Sequence, residues 1–418
     1  MRTGFTIEAA VGWDGTPQTK FPSLWVGTAA YNLGGTLGFF APTTIGTNSG
    51  STLETTAAKT QVVLTKQVFI TGLTIALSGQ LTSGKSISIR FNVNGVTQPS
   101  PAINMTSGQQ IASASGLLVV PAGSALCLEV TADNTNAVTL QSFSIGYWTA
   151  DGGAILLRQM GAQNAATIKS IFGHLGQNFG PPVNSSANSW YGRAFHMAKA
   201  QVHVDVAPGV GNIWGYRFVD GSGFIGTQLQ ITDGFTDVVG DVNVNIPVAT
   251  DPSAAGAVAY NRTVTGTPAA INDFGICQEY QDALDSSVFY IGFGTGATNI
   301  GGAATDRFIG YMQSGGTTVE STVQGVVGAP CTIVSFFGRL VYGNANEAYE
   351  LAIRVNGVDK YVTSLAIPGA GAAAFVNTSP SVALAVGDLV SIRYKNTANL
   401  SGTFVGWFVL GIQSTAVY

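Results

Sequence analysis

The sequence predicts an all-β chain of three tandem antiparallel jelly-roll-like β-sandwich domains joined by short connectors. Three observations carry this expectation. One hairpin occurs three times: SISIRFNVNG closes at Gly95, WGYRFVDG at Gly221 and LAIRVNG at Gly357. In each, apolar residues alternate with polar ones, and Asn-Gly or Asp-Gly follows, the pair that most readily supplies the positive φ angles of a tight turn. These glycines are spaced by 126 and 136 residues. A glycine opening a late strand recurs at Gly123, Gly256 and Gly387, spaced by 133 and 131. Two landmarks with one period near 130 residues indicate one sandwich per repeat.

The elements follow in order. Residues 1–24 read as an N-terminal arm broken by Trp13-Asp14-Gly15 and two prolines. The first repeat, 25–151, opens with WVGTAAYN and carries short β-branched runs punctuated by Gly, Pro, Asn and Ser, the pattern of an antiparallel sandwich. Residues 152–170 are richer in Ala, Gln, Leu and Met and read as a connector with a turn or two of helix. The second repeat, 171–284, opens with FGHLGQNFGPP and ends in a helix-compatible patch, Gln278–Leu284. The third, 285–418, opens with IGFGTGATNIGG at Ile291. The repeats also end alike, in SFSIGYW, INDFGICQEYQ and GTFVGWFVLGIQ. The middle hairpin is out of step: Trp214, Tyr216 and Phe218 sit one residue off relative to the turn, which predicts a bulge or another turn type.

Composition restricts function. Charged residues make up 10% of the chain, apolar ones 45%, and 54 residues are glycine, so Ser, Thr, Asn and Gln cover much of the surface. A net charge of −4 leaves no basic footprint for nucleic acid or anionic lipid. No apolar run reaches the 18 residues of a membrane span, and the first 20 residues lack the apolar centre of a signal peptide. Cys127, Cys277 and Cys331 are widely spaced and read as free buried thiols, in keeping with folding in a reducing cytosol.

Motifs for chemistry are weak. GQLTSGKS, Gly79 to Ser86, satisfies the phosphate-loop pattern, but that loop must lead into a helix and here leads into the first hairpin strand. The segment therefore reads as a hairpin loop. GFGTGA, Gly292 to Ala297, fits a loose dinucleotide fingerprint without a following helix. His174, His196 and His203 lack metal-ligand spacing. Asp233, Asp237 and Asp241 lack EF-hand spacing and read as turn and strand-end carboxylates rather than a calcium site. No cofactor, metal or catalytic residue is assigned. Trp190 and Tyr191, in the polar stretch NSSANSWYGR, are the candidate glycan or partner contact, since aromatic faces suit sugars; the competing reading is a loop anchored by its own aromatics.

Tandem sandwiches rich in Gly, Thr, Ser, Asn and Ala and poor in charge and Cys resemble tailed-bacteriophage virion proteins of the minor tail, fibre or capsid-decoration type. The Gly-rich opening strand and VNG hairpin are also similar to trimeric jelly rolls of the tumour-necrosis-factor and complement type. The resemblance implies a non-enzymatic virion protein, assembled in the host cytoplasm and placed on the tail or tail tip. It would contact other virion proteins and host-surface glycan, as a homotrimer or an internal pseudo-trimer. The alternatives are a capsid decoration protein and, from another class, a lectin-like adhesin. The resemblance transfers no functional residue.

Overall fold

The computed structural model describes residues 23–33, 37–42, 45–46, 53, 55–133, 138–150, 153–160, 170–173, 189–190, 193–220, 223–248, 257–269, 274–285, 287–294, 305–311, 317–341, 348–367, 373–397 and 405–415. The strands form six sheets in three pairs. In the first pair, β1 (Ser23–Asn32), β2 (Gly38–Phe40), β3 (Ile45–Gly46), β4 (Val62–Val63) and β5 (Val68–Leu77) precede β6 (Ser86–Val93) and β7 (Val96–Thr106). β8 (Ile111–Val120), β9 (Ala125–Ala132) and β10 (Thr139–Thr149) follow. One sheet runs β1-β10-β5-β8; the facing one runs β2-β9-β6-β7, with β4 also on β9.

The second pair comprises β11 (Ala154–Met160), β12 (Ser170–Gly173), β13 (Ser189–Trp190), β14 (Phe195–Val204), β15 (Gly209–Asp220), β16 (Gly223–Asp233), β17 (Asp237–Ile246), β18 (Ala257–Thr265) and β19 (Phe274–Asp282). Its sheets run β11-β19-β14-β17 and β12-β18-β15-β16, with β13 also on β18. β3 of the first pair crosses over to lie parallel to β11. The third pair comprises β20 (Val288–Gly294), β21 (Arg307–Ile309), β22 (Gly325–Val326), β23 (Cys331–Val341), β24 (Ala348–Val355), β25 (Val358–Ala366), β26 (Ala373–Thr378), β27 (Val382–Leu384), β28 (Leu389–Asn396) and β29 (Val405–Ser414). Its sheets run β20-β29-β23-β26 and β21-β28-β24-β25, with β22 also on β28.

All three pairs share one connectivity. Setting aside the short flanking strands, the first strand lies beside the last in one sheet, and the second beside the penultimate in the other. That is the jelly roll, and the fold class expected from the sequence is the fold observed. Apolar side chains of both sheets meet inside: Ile87, Ile89 and Phe91 of β6 face Ile70, Leu73 and Ile75 of β5 in the first pair. The second and third pairs share one continuous core, which also takes in Leu24 and Val26 of β1.

The repeated hairpin joins the fourth and fifth of the eight strands that build each jelly roll. Asn94-Gly95 and Asn356-Gly357 adopt φ values of 52° and 82°, and 52° and 78°, as a type I′ turn requires. Both asparagines do a second job. Asn94 Oδ1 accepts from Ala125 N at 2.8 Å and Asn356 Oδ1 from Leu389 N at 2.9 Å, tying each turn to the next strand. The middle copy's apparent phase shift has a simple cause. Its last cross-strand pair is Asp220 with Gly223, so Asp220 belongs to the strand and pairing ends one position later than the Asp-Gly signal implies. Measured from that last pair, Tyr216 and Phe218 hold the same positions as Ile89 and Phe91 do from Val93 with Val96.

Four expectations require correction. Residues 154–160 are not helical: they form β11, the first strand of the second pair, hydrogen-bonded to β19 along its length. Ala and Leu are good helix formers, but propensity contributes little per residue, and pairing with β19, with Ile155 and Leu157 buried, overrides it. Phe172 therefore lies in the second strand, β12, and does not open the repeat. The patch starting at Gln278 belongs to β19, a central strand flanked by β11 and β14. Finally, GQLTSGKS joins β5 to β6 in opposite sheets, so it is an arch between sheets rather than a hairpin loop. Ser86 begins a strand and donates to Asp133 Oδ2 at 2.6 Å, so no helix meets a phosphate there.

Candidate functional site: a ring of sheet junctions

The most specific chemistry among the described residues lies where one sheet pair meets the next. Each pair carries a short strand (β4, β13 or β22) on the edge of its penultimate strand, and each of these presses on the next pair's last strand. β4 lies across β19, β13 lies beside β29 and β23, and β22 lies across β10. First meets second, second meets third, and third meets first.

Residue contacts repeat from junction to junction. At the first, Thr65 N donates to Cys277 Sγ at 3.4 Å, and Lys66 pairs with Glu279 at 3.6 Å. Gly275 keeps this approach open, since a Cβ there would stand 3.1 Å from the Gln61 carbonyl oxygen. At the third, Val326 N donates to Ser142 Oγ at 3.0 Å, and Gln141 Nε2 donates to the carbonyls of Ser321 and Gln324. Gly328 there stands over Ser144, whose Oγ would lie 2.7 Å from an added Cβ. Leu64 and Val327 each exchange backbone hydrogen bonds with the turn of their own pair, around Gly123 and Gly387. By that match Thr65 corresponds to Gly328, and the residues they touch, Cys277 and Ser144, occupy corresponding places on β19 and β10.

The covalent connections repeat as well. Tyr147 of β10 places its hydroxyl 2.7 Å from Ile155 N and 2.8 Å from Ile155 O on β11. Trp25 stacks on the Tyr147 ring at 4.1 Å and donates its indole N–H to the same carbonyl. One pair later, the Tyr280 hydroxyl of β19 accepts from Tyr290 N on β20 at 3.0 Å. Ile412 holds the corresponding place on β29, opposite Phe289 as Tyr147 is opposite Ser23 and Tyr280 opposite Ala154. The closing contact, where no chain segment connects the pairs, thus has an isoleucine where the two linked ones have tyrosine.

Beside Tyr290 lies a polar knot. The Asp282 carboxylate, whose side chain is fully enclosed, accepts from Arg193 Nε and Nη2 and from Tyr290 Oη. It also accepts from the backbone N–H groups of Leu284 and Asp285 at 2.8 Å each. Burial raises its pKa, but these donors outweigh that and hold it below the usual carboxylate value. Burial also pushes the thiols of Cys127, Cys277 and Cys331 up to about 12, which leaves them protonated and unreactive at neutral pH.

The residues singled out from sequence lie as follows. Trp190 sits in β13, paired to Ala257, so its backbone belongs to the strand that meets the third sheet pair rather than to a free polar loop. Tyr191 and His174 lie outside the described residues. His196 Nδ1 meets Asn245 Oδ1 at 2.9 Å and His203 Nδ1 meets Asp237 Oδ1 at 2.8 Å, on the face of β14 and β17. Asp233 caps Gly211 N, and Asp241 stands 4.0 Å from Lys199, so the three aspartates do not converge. Among the described residues no three His, Cys, Asp or Glu side chains gather as metal ligands. The junction residues Tyr147, Tyr280, Gly275 and Cys277 carry no motif. Their only signal is membership of the repeated terminal strand.

No protein-family model matches the chain, and no curated protein matches it. Among solved structures it is remotely similar to the tandem CBM22-1–CBM22-2 domain of Paenibacillus barcinonensis Xyn10C, at 11% identity over 63% of this chain and 92% of that one, with a TM-score of 0.16. It is similar to the insecticidal delta-endotoxin Cry8Ea1 of Bacillus thuringiensis at 8% identity, over 82% and 53%, with a TM-score of 0.15. It is similar to the infectious bursal disease virus Gx strain structure at 9% identity, over 95% and 82%, with a TM-score of 0.14. Overlaps this loose carry no weight for fold or function.

Proposed function

We propose that the chain is a non-enzymatic structural protein of a bacteriophage particle, working as a single-chain pseudo-trimer. Its place is the tail or tail tip, where it contacts other virion proteins and host-surface glycan. The observation that carries this reading is the head-to-tail cycle of junctions, β4 on β19, β13 on β29 and β22 on β10. A head-to-tail contact that closes after three steps makes a ring; one that does not close makes a filament. A closed ring of three jelly rolls in one chain presents three similar but non-identical faces around one axis. Such a body seats on an axially symmetric structure as one copy. The charge-poor, hydroxyl- and amide-rich surface suits wet, hydrogen-bonded contacts with proteins and glycans.

The same ring supports placement on a symmetry axis of the capsid as a decoration protein, and location separates the two. Antibody against the chain, applied to intact virions, is expected to label the tail under the microscope. Label on the head favours decoration, and virions free of the protein remove both. Incubation with host polysaccharide is expected to release no new reducing ends.

A further inference from the structure

We infer that β8 is a docking edge for a second copy of this chain, which adds its own β8 antiparallel across a twofold axis near Ser113. β8 ends the sheet β1-β10-β5-β8. It is ten residues long, IASASGLLVV, with no ionisable residue and no proline, and nothing before Val120 is buried. Ile111, Leu117 and Val119 are 37%, 62% and 46% exposed. Exposed edges normally carry defences against pairing.

Several other edges have them. β7 carries Pro99 and Pro101, β17 carries Asp237 and Asp241, and β25 carries Asp359 and Lys360. β16 is broken by a register shift between Ile225 and Leu229, where Gly226 sits at φ 67°, and β26 is only six residues long. β8 has one irregularity, an extra residue at Gly116–Leu117 opposite β5, so the regular stretch is Ile111–Ser115.

A second copy fits this stretch for two reasons. Twofold pairing sets each residue against its own kind or a near neighbour: Ser113 on Ser113, Ala112 on Ala114, Ile111 on Ser115. An uncharged strand of small residues tolerates that, whereas β17 would bring like charges together. The edge also continues a face already used for docking. Ser144, Thr74 and Ser113 form one cross-strand row from β10 through β5 to β8, with Thr74 Oγ1 donating to Ser113 Oγ at 3.0 Å. That row begins under Gly328 of the third pair and ends at the open edge.

Sedimentation of the full chain from micromolar to near-millimolar concentration tests the proposal. The mass is expected to rise from 43.0 kDa toward twice that value. Ser113→Lys and Ser113→Glu, at an exposed position whose hydroxyl accepts from Thr74, are each expected to remain folded and to stay at one chain throughout. Mixing the two is expected to restore association. The proposal is overturned if the wild type stays at one chain over the whole range, if either variant associates alone, or if their mixture fails to pair.

Discussion

The hydroxyl of Tyr147 lies within hydrogen-bonding distance of both backbone polar atoms of Ile155, eight residues away and across the boundary between two sheet pairs. One side chain thereby fixes where the second jelly roll begins relative to the end of the first. Tyr147→Phe keeps the ring stacked on Trp25 but leaves the Ile155 amide short of a partner in a buried site. A loss of about 1–3 kcal/mol in unfolding free energy is expected. Chemical denaturation measures it; no loss would show that the hydroxyl does not hold the junction.

Gly275 tests the junction from the other side. Its missing side chain lets Gln61 and Val62 lie on β19. Gly275→Val overpacks that contact and is expected to cost about 1–3 kcal/mol. Gly84, with open space around its Cβ position in the arch at the end of β5, offers a control on a left-handed residue away from any junction, φ 73°. Gly84→Asn is expected to leave the junction unaffected, as judged by hydrogen exchange of β4 amides.

The three thiols give a pH prediction with a definite sign. Their ordinary value is 9.0 and burial raises it to about 12 in the folded chain. A folded state that holds its protons more tightly is fully favoured below the ordinary value and loses that advantage as pH rises toward the folded one. Stability is therefore expected to decline between pH 9 and about 12. Replacing Cys127, Cys277 and Cys331 with serine or alanine should flatten that limb. At pH 8 a thiol reagent is expected to label them only as fast as the chain opens.

Asp282 carries the opposite sign. Its donors hold its pKa below the ordinary 3.8, so its contribution is present at neutral pH and is lost as pH falls through and below that value. Asp282→Asn leaves Arg193 without its carboxylate and is expected to cost about 2–4 kcal/mol at neutral pH. The same variant should lose less relative to wild type in acid, which titration of unfolding against pH reads directly.

Much of this architecture was legible in the chain. LAIRVNG and SISIRFNVNG specify a strand and its turn locally, so three copies revealed three jelly rolls. The first strand of the second jelly roll was not legible. AILLRQM takes its conformation from β19, which lies more than a hundred residues away. In the middle copy Asp-Gly is a strong local turn signal, yet Asp220 pairs within the strand. By its sequence Trp190 reads as an exposed aromatic because its neighbours are polar. Its backbone place beside the third sheet pair depends on a fold contact no local pattern encodes. The junction tyrosines were invisible for the same reason.

The central claim is that one chain closes the ring. Light scattering on the dilute full-length protein measures its mass most directly. The account predicts 43.0 kDa, a single chain, with a dimer emerging only on concentration. A stable mass of three chains at that dilution would mean that three-fold packing comes from separate molecules, and would contradict it.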